Sequence, residues 1–175
     1  MSKAIPTPNK FFIFLFSLTL PFLAGAIGSI STSSALKDWY PTLEKSPLNP
    51  PNWIFGPVWT TLYLLMGIAL FLVISQKHLD KKAITIFITQ LILNTLWSIV
   101  FFGMENPLLA VVVIIALIVT VIVNIKMFLR IHPLAGYLLI PYLLWISFAS
   151  YLNLMLATLH CFCTFFFEEK QCGFG

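Results

Sequence analysis

Every charged side chain in this sequence falls in a short cluster, and uncharged stretches long enough to cross a lipid bilayer separate most of the clusters. The clusters are Lys3 and Lys10; Lys37, Asp38, Glu44 and Lys45; Lys77, Asp80, Lys81 and Lys82; Glu105; Lys126 and Arg130; Glu168, Glu169 and Lys170. A helix rises about 1.5 Å per residue, so a hydrocarbon core of roughly 30 Å takes about 20 apolar residues. Five segments meet that length: residues 11–30, 53–75, 83–103, 107–125 and 134–159. Backbone groups must be paired in lipid, and the segments lack the apolar/polar alternation of barrel strands, so each is expected to be a helix. The fold class is an all-α membrane protein, a five-transmembrane-helix bundle forming a single domain over residues 1–175. Composition agrees: 59% of residues are hydrophobic and 9% charged, against about a quarter charged in soluble domains.

Loop charge sets an expected orientation. Lys3, Lys10, Lys77, Lys81, Lys82, Lys126 and Arg130 lie on one side, against Lys37, Lys45 and Lys170 on the other. The positive-inside bias places the N-terminus in the cytoplasm if the host membrane is of bacterial type. The net charge of +4 reflects these loops, and no basic patch interleaved with aromatics points to nucleic acid. A rival reading of the first segment is a secretory signal, with Lys3 and Lys10, an apolar run and a cleavage-like Ala24-Gly25-Ala26. Against it, the run continues past that site to spanning length.

The connection 31–52 is long for a structureless loop, and such loops are lids, binding loops or linkers. Pro41, Pro47, Pro50 and Pro51 stiffen it. It reads either as a lid or as a rigid surface loop with Trp39 and Trp53 in the interfacial aromatic belt. Asn106-Pro107 marks a tight turn with Pro at the first helical position, and Pro21 and Pro141 are expected to kink their helices.

Intramembrane polar groups are costly, so their positions are informative. Gln90, Asn94 and Trp97 share a face of the third segment; Trp59, Tyr63 and Met66 share one on the second; Trp145, Ala149 and Asn153 line up on the fifth. Three aromatic faces dotted with hydrogen-bonding groups suit a flat, mostly apolar ligand. The plainer reading is that Asn and Gln join helices and that the aromatics pack. Ala24-xxx-Gly28 reads as a packing seam. No carboxylate lies within a segment, and no phosphate loop or nucleophile elbow is present. His160, Cys161, Cys163 and Cys172 do not match a standard zinc spacing, so no metal site is expected in the unassigned tail 160–175.

Three blocks carry a family resemblance: Trp39 to Gly67 (WYPTLEKSPLNPPNWIFGPVWTTLYLLMG), Gln90 to Gly103 (QLILNTLWSIVFFG) and Pro141 to Asn153 (PYLLWISFASYLN). In this order they resemble the TspO/translocator protein family, also called tryptophan-rich sensory proteins or peripheral benzodiazepine receptors. The resemblance implies a five-helix bundle, commonly a homodimer, with a pocket closed by the first loop. It implies binding of porphyrins (heme-type tetrapyrroles), sterols such as cholesterol, or synthetic planar lipophiles, with no obligatory cofactor and with membrane lipid as surroundings. The pocket positions carried over are Tyr40, Trp59, Asn94, Trp97, Trp145 and Ala149, and Tyr63 shares the Trp59 face. Lys37 and Lys45 are expected near the mouth, where they would pair with propionate carboxylates.

The leading expectation is a receptor or carrier for porphyrin-like tetrapyrroles, serving sensing, transport or disposal. An enzymatic alternative is light- and oxygen-dependent porphyrin degradation, with Trp59 or Trp145 as redox relays, because both match tryptophans implicated in that reaction in bacterial relatives. A further alternative is transport of sterols or other lipophiles. Several positions depart from the family pattern: Lys-Ser-Pro-Leu at 45–48, Thr95 and Leu109 where animal members carry tryptophan, and the tail from His160. No basic residue follows Tyr151 until Lys170, so the sterol-recognition pattern, itself weak, is absent.

Overall fold

A computed structural model describes residues 9–35, 37, 39–43, 48–76 and 80–166, with side chains described as far as residue 158. Six α-helices make five spans: α1 (Lys10–Ala35), α2 (Phe55–Ile74), α3 (Lys81–Ser98), α4 (Pro107–Ile131), α5 (Pro133–Leu138) and α6 (Ile140–Phe166). All five spans are long and apolar enough to cross a membrane, and no strand occurs among the described residues.

The boundaries differ from the sequence expectation for local physical reasons. Helix α1 runs unbroken through Ala24-Gly25-Ala26 and takes five residues from the connection 31–52. In that added turn and the one before it, Ser29, Ser33 and Ser34 donate to carbonyls three residues back. The second span opens with a 3₁₀ turn, Asn52–Ile54. Asp80 caps α3 by accepting from the Lys82 and Ala83 N–H groups, which starts the helix ahead of residue 83. Helix α4 continues to Ile131, six residues beyond the uncharged segment, with Lys126 and Arg130 exposed on its surface, where long stems let a charged head leave the apolar zone while the backbone stays helical. Asn106 accepts from the Leu109 N–H at 2.9 Å with Pro107 in the first position, as the sequence indicates.

Pro141 has no N–H for the Tyr137 carbonyl, and the fifth span breaks at Leu139 into α5 and α6. Helix α6 then reaches Phe166, so part of the unassigned tail is helical. Pro21 interrupts no helix. It leaves the Ser17 carbonyl without a helical donor, and that oxygen abuts Gly67 of α2.

The spans close into a ring. Helix α1 packs on α2 and α3, α4 packs on α3, α5 and α6, and α2 meets the fifth span chiefly at α5. One apolar layer fills the half of the bundle on the N-terminal side, around Met66, Leu70, Phe87, Val121, Phe128 and Leu139. A second layer on the other side holds Tyr40, Leu43, Trp97, Phe101, Phe102 and Ile114. Helix α3 ends in a π turn, Ile99–Gly103, closed by the Met104 N–H on the Ile99 carbonyl at 2.9 Å. The widened turn lets the adjacent Phe101 and Phe102 both face inward. Large apolar side chains such as Phe16, Ile30, Val112, Ile115 and Val119 stay on the outer surface, as lipid-facing residues must.

Candidate functional site

Between the two apolar layers lies a cavity of about 460 Å³, within the size range of small-molecule sites. Trp59, Tyr63, Asn94, Trp97, Trp145 and Ala149 all line it. Helical spacing explains their convergence: Trp59 and Tyr63 are one turn apart on α2, Asn94 and Trp97 on α3, and Trp145 and Ala149 on α6. Trp59 stacks on Tyr63, with ring centroids 5.4 Å apart and planes 28° apart. Trp145 meets Phe55 edge-on at 6.0 Å. Trp97 stacks on Phe101 at 5.6 Å, which ties the wall to the π turn.

Asn94 joins three helices at the inner wall. Its Nδ2 donates to the Tyr63 hydroxyl and its Oδ1 accepts from the Tyr142 hydroxyl, each at 3.2 Å. The amide therefore acts as interhelical glue and as part of the lining together. Tyr63 accepts from Asn94 through its oxygen and retains its own proton to donate to a ligand. Tyr142, fully buried against Trp59 at 6.3 Å, is a supporting residue that the sequence reading left out. Its spacing, three residues before Trp145, was the available signal. Gln90 faces the N-terminal apolar layer instead; its amide and that of Asn124 lack hydrogen-bond partners among the described residues. Asn153 joins α6 to α4. With its amide oriented by its neighbours, it donates to the Pro107 carbonyl at 2.9 Å and accepts from the Val111 N–H at 3.2 Å.

Tyr40 is not part of the lining. It is 4% exposed, packs on Phe102 at 5.9 Å, and donates to Asn49 Oδ1 at 2.6 Å. Burial pushes its phenol above the ordinary value near 10, with the bond to Asn49 acting in the opposite direction. Trp39 sits edge-on to Phe101 at 5.7 Å. The described part of the first loop is thus a packed roof over the aromatic wall. Lys37 is exposed and outside the lining, and Lys45 lies outside the described residues. No cluster of metal-ligating side chains occurs among the described residues; the side chains of His160, Cys161, Cys163 and Cys172 fall beyond them.

The sequence reading also missed the α1 face, where Phe22, Gly25, Ala26, Gly28, Ser29, Thr32 and Ser33 line the cavity. Its only signal was the small-residue spacing at Ala24 and Gly28, which does form a seam. The Ser98 hydroxyl donates to the Gly28 carbonyl at 3.0 Å, and Thr95 donates to that of Ala24 at 3.1 Å. Thr95 thus binds α1 to α3.

These features define a multi-pass integral membrane protein with an aromatic cavity inside its helix bundle. The TspO/MBR family model matches residues 17–159. Tryptophan-rich protein TspO of Archaeoglobus fulgidus is 48% identical over 130 residues, 74% of this chain and 84% of that protein. The tryptophan-rich sensory protein of Cereibacter sphaeroides is 37% identical, over 78% of this chain and 87% of its own length. The human translocator protein is 34% identical, over 76% and 81%. The chain belongs to the TspO/MBR family.

Proposed function

We propose that the chain is a membrane receptor or carrier for porphyrin-like tetrapyrroles, bound in the cavity among α1, α2, α3 and α6. The observation that carries this reading is the grouping of Trp59, Tyr63, Trp97 and Trp145 around one cavity. Ring faces and edges supply contact area for a flat macrocycle. The Tyr63 hydroxyl, fixed by Asn94, supplies a directional donor. A cavity walled by aromatic rings, with polar side chains between them, favours a planar lipophile over an ion or a sugar. The names of relatives, sensory protein and translocator protein, agree with a role in sensing or carriage.

The test is a titration in the dark of the full chain with protoporphyrin IX, following quenching of tryptophan fluorescence, beside a Trp59→Phe/Trp145→Phe variant. Saturable quenching that weakens in the variant supports the reading. Quenching that is unsaturable and equal in both overturns it and leaves sterols as the next ligands to try.

A photo-oxidative reading has one supporting observation: the indoles of Trp59 and Trp145 line the same cavity. The bound porphyrin would be the photosensitiser and dioxygen the oxidant. Illumination then yields a bilin-like absorbance that Trp145→Phe abolishes; identical photobleaching in both proteins rules the chain out as a participant.

A further inference from the structure

We propose that the cavity is loaded sideways, from the bilayer leaflet on the side of the first loop, through a portal between α1 and α2. This rests on the cavity being a ligand seat, as proposed above, and it makes the ligand a molecule dissolved in lipid.

The roof and the wall differ in closure. At the roof Ala35, Tyr40 and Leu43 are buried, and the Trp39 and Tyr40 rings sit on Phe101 and Phe102. In the wall, Ala26, Ser29 and Ser33 of α1 and Gly56 and Thr60 of α2 line the cavity and are exposed. A Cβ added at Gly56 would meet nothing within 4 Å. The space beside it is open.

Helix packing explains the gap. In the N-terminal half α1 and α2 touch backbone to backbone: a Cβ on Gly67 would lie 2.9 Å from Leu18 Cα and 3.1 Å from the Ser17 carbonyl oxygen. Gly25 lies tight against the Tyr63 ring. From Ala24 onward α1 is also tied to α3. The Ala24 and Gly28 carbonyls accept from Thr95 and Ser98, and Thr32 and Ser98 hydroxyls lie 2.8 Å apart. No side-chain hydrogen bond joins α1 to α2 among the described residues. The outer half of α1 is therefore held away from α2, and a slot remains between them.

The rim chemistry suits lipid. Ser29, Ser33 and Thr60 donate to carbonyls of their own helices, so no hydroxyl at the rim lacks a partner. Gly25 to Ala35 spans about 15 Å of helix, half of a roughly 30 Å hydrocarbon core, so the slot opens into one leaflet.

The test uses the full chain in nanodiscs, with Cys161, Cys163 and Cys172 replaced by Ser and Gly56→Cys introduced. A nitroxide on Cys at 56 reports surroundings without any ligand. The portal predicts strong collision with oxygen and weak collision with a nickel chelate, matching a nitroxide on Ile115→Cys, a lipid-facing control. Access to the chelate would mean a water-filled vestibule, and access to neither would mean that protein, such as a second copy, covers the slot. Either result overturns the proposal. Alkylating Cys at 56 with a bulky maleimide should then slow uptake of protoporphyrin IX from donor vesicles by about tenfold. An unchanged rate refutes loading by this route. If the unalkylated protein takes up no porphyrin while the nitroxide is in lipid, the porphyrin reading fails and the portal stands.

Discussion

Replacing Gly25 by alanine adds one methyl group at the point where α1 touches the ring that orders the site. The new Cβ would lie 2.6 Å from Tyr63 Cζ and 2.9 Å from Cδ2, with Cε2 nearer still. Ordinary carbon contacts are about 3.5–4.0 Å, so the ring must retreat by roughly 1 Å or more. The retreat disturbs two interactions. The Asn94–Tyr63 hydrogen bond, already 3.2 Å long, contributes about 1 kcal/mol. The Trp59–Tyr63 stack at 5.4 Å contributes about 0.5–1.5 kcal/mol. A ligand that needs the ring in its original place would have to repay these contacts, which sets an upper bound of about 1.5–2.5 kcal/mol on the loss, or roughly 10- to 70-fold in porphyrin affinity. Alanine improves helix propensity by about 1 kcal/mol over glycine, so helix weakening does not explain such a loss. The assay is the dark fluorescence titration of Gly25→Ala, Tyr63→Ala and the double variant. With Tyr63 truncated, Gly25→Ala should have no further effect. Wild-type affinity in the single variant, or an undiminished loss in the double, refutes the reasoning.

Three other perturbations test separate parts of the fold. Gly67→Ala places its methyl against the Leu18 and Ser17 backbone, which no rotamer change relieves. It should lower the thermal unfolding midpoint in nanodiscs, reflecting about 1–3 kcal/mol of overpacking, and more than Gly25→Ala does. Gln90, fully buried with no partner for its amide among the described residues, should be replaceable by methionine with a gain of about 1–3 kcal/mol in stability; a lower midpoint would show that its amide is bonded. Roof docking should depend on pH through Tyr40, whose phenol is raised above its ordinary value. The docked phenol holds its proton more tightly, so docking is at full strength below about pH 10 and is lost as pH rises through the higher docked value. Trp39 fluorescence should report that loss, and Tyr40→Phe should remove the pH dependence.

Charge placement made the five spans legible, because lipid enforces helices wherever charges are missing. The ends were not legible. They depend on single interactions such as the Asp80 cap and on the tolerance of α4 for Lys126 and Arg130 near the interface. The π turn had no clear sequence mark. Stripes at helical spacing on α2, α3 and α6 pointed to Trp59, Tyr63, Asn94, Trp97, Trp145 and Ala149, which line the cavity, but their other members do not: Met66 packs in the apolar layer and Asn153 ties α6 to α4. The α1 wall was illegible because glycine, alanine and serine mark close packing and open space equally well. Gly25 and Gly28 pack closely, whereas Gly56 faces a gap, and only three-dimensional neighbours separate the two. Tyr40 shows a related limit: motif position placed it at the site, but its burial on Phe102 makes it part of the roof.

The central claim is that one planar ligand sits inside the bundle, and counting bound ligand is its most direct test. Native mass spectrometry of the full chain released from nanodiscs loaded with protoporphyrin IX gives that count. Ala149 lines the cavity, so Ala149→Trp should fill the seat. The account predicts one porphyrin per chain in the wild type and none in the variant. A graded series of adducts, or equal retention by both proteins, would contradict it.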